Sequence, residues 1–215
     1  MSPTPIRALV ISNGIEGLDS LYQATEKIQY DWVEVTPSFN PTLEGYDLLI
    51  VPNGSDHIAL YRIKDTIKAY LDAGGALFCF DGWFTDWVPG YRWIMDNSQK
   101  SMDVRYKIKD DPYKLSQQFE VEDLNFSHGI SGWWACGYIE PISPLGHVLI
   151  EDTWGRPLVV IDETTTAGLM VLTASAPAAD LSYATTDDGA AEKAMTDLYH
   201  ALLGLVSLVK QPTHV

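Results

Sequence analysis

Residues 6–12 (IRALVIS) form a nearly continuous apolar run that stops at Asn13-Gly14. A run without alternation suits a strand covered on both faces, as in a parallel sheet. Residues 16–28 are largely polar, with Leu18, Leu21 and Ile28 spaced to share one face, and predict a helix. Residues 31–35 predict a second strand. Residues 48–51 (LLIV) predict a third, halted by Pro52-Asn53-Gly54. Ile63, Ile67, Tyr70 and Leu71 then fall at i, i+4, i+7 and i+8, one face of a 3.6-residue period. Gly74-Gly75 closes this helix, the first glycine being suited to the left-handed position after a helix end. Residues 76–80 (ALFCF) predict the next buried strand, ended by Asp81-Gly82. Strand, helix, strand, helix, strand in this order imply βαβ units and a parallel sheet.

The alternation lapses from Trp83 to about residue 131. That segment holds Trp83, Trp87, Trp93, a mixed stretch at 102–108 and a polar run to Phe126. Strand-like runs resume at 133–139, 147–150, 157–161 and 168–173, and their closer spacing predicts partly antiparallel pairing. The last element is a helix. Asp187 can cap it, and Ala194, Leu198, Ala201, Leu202, Leu205 and Leu208 make its buried stripe. The expectation is one α/β domain over residues 1–210, with an insertion at about 83–131 and a tail at 211–215.

Composition narrows the function classes. The chain has 215 residues, 46% of them hydrophobic and 20% charged, enough for a large core without disulfides or metals. Its net charge of −15 opposes phosphate backbones and anionic lipids. The densest basic stretch, residues 105–114, also carries Asp110 and Asp111, so neither nucleic acid nor membrane is an expected partner. No stretch approaches the roughly 20 apolar residues of a membrane span, and the first residues lack a signal-like apolar core, so a cytoplasmic location is expected. Cys79 and Cys136 have no CxxC spacing; Cys79, inside an apolar run, is expected to be a buried thiol. No cofactor or metal is expected.

The segments YDLLIVPNG (46–54) and YLDAGGALFCFDG (70–82) resemble the class I glutamine amidotransferases. In that pattern a helix closes on a double glycine and the following strand delivers a nucleophile at a sharp elbow. More narrowly, GGALFCFDGWF, then SHGI, then RPLVVIDETTTAGLMVLTASAP look like an uncharacterised glutamine amidotransferase-like family close to the ThuA-like trehalose-utilisation proteins. The resemblance runs over roughly residues 6–208. It implies a flavodoxin-like, doubly wound α/β sheet with an insertion after the elbow. It also implies where the chemistry should lie. The position of the family's nucleophilic cysteine holds Asp81, and Cys79 stands two residues earlier within the strand. Where a histidine and a glutamate follow the late strand, this chain has Ser175, Ala176 and Pro177. Acyl transfer from glutamine needs a thiolate and a base, so glutaminase activity is not expected.

Several residues are candidates for other chemistry. Asp81, at the elbow, could serve as a general base or ligand anchor, or could cap the turn. Asn53, Gly54 and Ser55 lie where the family builds its oxyanion-hole backbone, and could equally be a plain turn. Gly82, Trp83 and Ser175 would complete a ligand-binding edge. His128, in Ser127-His128-Gly129-Ile130, resembles an HPI-type segment and could assist Asp81, or could be a loop histidine. Asp56-His57, with Asp81 and Asp86, raises a metal site, but no HxxxH-type spacing supports it and a solvated loop is expected. Trp83, Trp87, Trp93, Trp133 and Trp134 could stack on sugar faces or form a satellite core. Three readings follow. The first is a binder of a small polar metabolite, carbohydrate or partner protein at the strand ends. The second is an enzyme of another class, hydrolase or isomerase-like, using Asp81 as acid/base. The third is a structural module that forms a homo-oligomer.

Overall fold

A computed structural model describes residues 4–12, 14, 18–80, 82–125, 135–142, 146–175 and 190–209. Among these residues, ten strands and four α-helices follow in chain order: β1 (Ile6–Ser12), α1 (Leu18–Leu21), β2 (Ile28–Glu34), β3 (Leu48–Val51), α2 (His57–Arg62), α3 (Lys64–Asp72) and β4 (Ala76–Phe80). Then come β5 (Tyr91–Met95), β6 (Lys107–Ile108), β7 (Gly137–Pro141), β8 (His147–Glu151), β9 (Pro157–Asp162), β10 (Leu169–Thr173) and α4 (Ala190–Val209). Eight strands make one sheet in the order β2-β1-β3-β4-β10-β9-β8-β6, and β5 pairs with β7 in a small second sheet.

The five strands from β2 to β10 run parallel, and β9, β8 and β6 continue the sheet antiparallel. This is a mixed α/β fold around a large central sheet. Every residue of β3, β4 and β10 is buried, as the unbroken apolar runs require of strands covered on both faces. Phe78 and Phe80 meet Tyr199 of α4 edge-on, with ring centroids 6.5 and 6.2 Å apart. Successive side chains alternate across the sheet, so Leu77 and Cys79 point to the opposite face. Register decides the geometry of the carboxyl edge: Val51 and Leu172 both pair with Cys79, and Thr173 pairs with Phe80. The segments after β3, β4 and β10 therefore leave the sheet side by side.

Between β3 and β4 the expected helix is broken at Ile63, whose φ of −106° separates α2 from α3. The apolar face survives the break, with Ile63, Ile67 and Leu71 buried and Tyr70 half-buried. The two closing glycines are needed for different reasons. Gly74 has φ +92°, while a side chain at Gly75 would collide with the Tyr70 ring at 2.3 Å. In α4 the stripe is buried from Ala194 to Leu205, but Leu208 is exposed. The Asp187 cap lies outside the described residues.

Two expectations need correction. Within residues 16–28 the described helix is only Leu18–Leu21, and Ile28 already opens β2, pairing with Ile6. The insertion, expected to be irregular, contributes β5 to the small sheet and β6 to the far edge of the large one. The basic stretch near β6 is tied down locally: Lys107 and Lys109 reach Glu151 at 2.9 and 3.3 Å. No helix among the described residues is long and apolar enough to cross a membrane.

Candidate functional site at the carboxyl edge

Asp81 and His128, the expected acid and its helper, lie outside the described residues, as do Trp133, Trp134, Ala176 and Pro177. The other candidates sit beyond the ends of β3, β4 and β10, on one edge of the sheet. Their arrangement follows from short-range chemistry.

After Val51 the chain turns through Pro52, Asn53 and Gly54, where φ of +77° calls for a residue without a side chain. Ser55 is buried and donates twice to the Pro52 carbonyl, through its hydroxyl at 2.7 Å and its amide at 3.3 Å. The Ser55 amide is thus used by the turn, whereas Asn53 and Gly54 are exposed. Asp56 caps α2, its Oδ1 accepting from the Ile58 and Ala59 amides at 2.9 and 3.0 Å.

His57 is not in a solvated loop. It is 7% exposed, and the segment following β4 holds it from two directions. Thr85 Oγ1 donates to the His57 carbonyl at 2.7 Å, and Trp87 Nε1 donates to His57 Nδ1 at 3.1 Å, the two rings being stacked. Burial lowers the His57 pKa to about 4, against the opposing pull of the Asp56 carboxylate. Of the residues that raised a metal site with His57, Asp56 caps α2, Asp86 is exposed beside Arg92 at 3.6 Å, and Asp81 lies outside the described residues. Among the described residues, no three His, Cys, Asp or Glu side chains gather as metal ligands.

Gly82 is buried with φ +65° and carries the chain into Trp83 and Phe84. Trp83, Trp87 and Trp93 are 2%, 2% and 7% exposed and belong to the main hydrophobic core, so they form no separate satellite core and offer no open face for stacking on a sugar. Phe84, by contrast, is 67% exposed. It lies edge-on to both His57 and Trp93, at 6.1 and 5.0 Å between centroids. At the end of β10, Ser175 is buried and its carbonyl accepts the Thr173 hydroxyl. Cys79, fully buried, sits one residue inside the end of β4 between Val51 and Leu172.

Sequence reasoning missed His57 as a structural centre of this edge. The available signal was Leu60, three positions on and therefore on the same side of α2, but the Trp87 contact comes from 30 residues away.

No family model matches the chain, and no curated protein matches it. Its fold is similar to that of a protein assigned as a GMP synthase subunit from Thermoplasma acidophilum, with a TM-score of 0.58, 11% identity and 95% of each chain covered. It is also similar to an exo-β-1,4-mannosidase from Opitutaceae bacterium strain TAV5, with a TM-score of 0.51 and 13% identity. That match covers 92% of this chain and 36% of the mannosidase. At these identities the likeness is one of fold. It supports a mixed α/β architecture around a large central sheet.

Proposed function

We propose that the protein is a non-glutaminase member of the glutamine amidotransferase-like superfamily, and that it binds a small polar molecule at the carboxyl edge of its parallel strands. The position of Cys79 carries this reading. A glutaminase needs a thiolate that meets substrate beside a base. Cys79 is instead enclosed mid-sheet with no exposed surface, and Ser175 stands where the family's histidine would follow β10. The edge itself retains what a ligand site in an open α/β sheet uses: adjacent turns after parallel strands. The order β2-β1-β3-β4-β10 favours reading the sheet as flavodoxin-like, and the sequence segments around Gly74-Gly75 favour kinship with the ThuA-like proteins.

A 1H–15N NMR titration with glutamine, pyruvate and glucose tests the reading. Binding at the edge moves the amides of Asn53, Gly54, Gly82 and Trp83 together. Saturable shifts confined to the opposite end of the strands would refute it. The mannosidase likeness favours a second reading, an assembly module, because there the fold occupies only 36% of a longer chain. A stable oligomer in sedimentation, unaffected by changes along the carboxyl edge, would support that alternative.

A further inference from the structure

The central sheet ends in two edges, and the sequence treats them differently. At one edge β6 is two residues long and carries Lys107, and both shortness and lysine guard a strand against pairing with another chain. At the other edge β2 runs for seven residues, Ile28–Glu34, without lysine, proline or a break in its register with β1. The direction of its peptide groups follows from one bond, the Ile6 amide donating to the Lys27 carbonyl at 2.8 Å. Alternate residues of a strand turn toward the same neighbour, so residues 27, 29, 31 and 33 face β1. Ile28, Tyr30, Trp32 and Glu34 therefore direct their N–H and C=O groups away from the sheet. The Ile28 carbonyl accepts the Thr25 amide at 2.8 Å. Among the described residues, the outward groups of Tyr30, Trp32 and Glu34 meet no other strand. Gln29, Asp31, Trp32 and Glu34 are all exposed.

Building on the assembly reading above, we propose that β2 pairs antiparallel with β2 of a second copy of this chain, about a two-fold axis at Trp32. Side-chain chemistry selects both the partner and the register. With the axis at Trp32, outward residues meet outward residues: Trp32 faces the partner's Trp32, and Tyr30 faces the partner's Glu34. Every outward N–H and C=O of these three residues then finds a bond. On the other face of the strand, Asp31 stands opposite the partner's Val33. No carboxylate faces a carboxylate, and Asp31 is already held by Arg7 at 3.3 Å and by the Tyr46 hydroxyl at 3.0 Å. Moving the axis spoils this. At Asp31 the two Asp31 side chains would stand directly opposite, which destabilises a strand pair. At Tyr30, Trp32 would face the partner's Ile28, whose carbonyl is taken. At Val33, Tyr30 would face the partner's Thr36, beyond the end of the strand. At Trp32 the two indoles, each 39% exposed and braced edge-on by Tyr22 at 5.8 Å, meet as an aromatic cross-strand pair.

Sedimentation in about 0.15 M salt, which screens the net charge of −15 beyond about 8 Å, tests the proposal. Wild type should sediment with the mass of two chains. Trp32→Lys and Trp32→Glu should each sediment as one chain, because like charges then meet at the axis. An equimolar mixture of the two variants should recover the two-chain mass, since the facing charges are then opposite. Unchanged far-UV circular dichroism reports that each variant keeps its fold. Hydrogen exchange of the wild type needs no substitution: the Tyr30, Trp32 and Glu34 amides should be protected at high protein concentration and lose that protection on dilution. A two-chain species that both variants retain, or that the mixture of folded variants does not recover, overturns the pairing and leaves the assembly reading standing. Outward amides that exchange equally fast at every dilution of a two-chain wild type do the same. A wild type that sediments as one chain even at NMR concentrations overturns both.

Discussion

The Trp87 indole donates to Nδ1 of His57 across 3.1 Å, and this contact joins the first residue of α2 to the segment after β4. It also decides how the edge responds to acid. Protonating His57 would set two N–H groups against each other, in addition to burying a charge.

The pH dependence follows from that clash. An unfolded histidine titrates near pH 6.5, while folding lowers His57 to about 4, chiefly by burial. Between these values the unfolded chain binds the proton more readily. Stability therefore falls as pH drops from about 6.5 to about 4, and this group adds no further loss below that. Urea unfolding of wild type and His57→Asn across this range should give a difference that shifts against the wild type in acid. A difference that stays constant would mean that His57 titrates as it does in water.

Tyr91 makes a second buried contact. Its hydroxyl donates to Asp162, a fully buried carboxylate that also accepts from the amides and hydroxyls of Thr164 and Thr165. Burial raises the Asp162 carboxyl, but these bonds together outweigh it and hold it below the usual range. Tyr91→Phe should cost about 1.5–3 kcal/mol at neutral pH, the value of a bond to a charged group. The cost should shrink in strong acid, once Asp162 is protonated in both states. A neutral-pH change under about 0.5 kcal/mol, measured by urea unfolding, would mean that the bond contributes nothing net.

The docking of α4 can be tested with one pair of substitutions. Leu202 is fully buried and Ser207 is exposed on the same helix. Leu202→Ala should cost about 2–5 kcal/mol, and Ser207→Ala should stay within about 0.5 kcal/mol of wild type. Equal small effects would show that the helix is not packed on the sheet.

The parallel core was legible because buried strands appear as unbroken apolar runs: LLIV and ALFCF became β3 and β4 without adjustment. β5 was harder. Tyr91 and Trp93 are buried and Arg92 is exposed, a proper alternation, yet Tyr91 pairs with Pro141, far along the chain. Polar residues 16–28 favoured a helix locally, but the pairing of Ile28 with Ile6 drew its end into β2. At the edge, turn chemistry correctly marked Asn53-Gly54. The burial of His57 was invisible, because Trp87 and Thr85 create it from another segment. Trp83 and Trp93 look alike as candidate stacking platforms in sequence, and only packing reveals that both rings are buried.

Ammonia release from glutamine is the measurement that bears most directly on the central claim. With Cys79 enclosed in β4 and Ser175 beyond β10, the purified protein should release none above buffer, and Cys79→Ser should behave identically. Glutamine-dependent ammonia that disappears in Cys79→Ser would contradict the claim, because the thiol would then have to meet substrate from a position that the structure places inside the sheet.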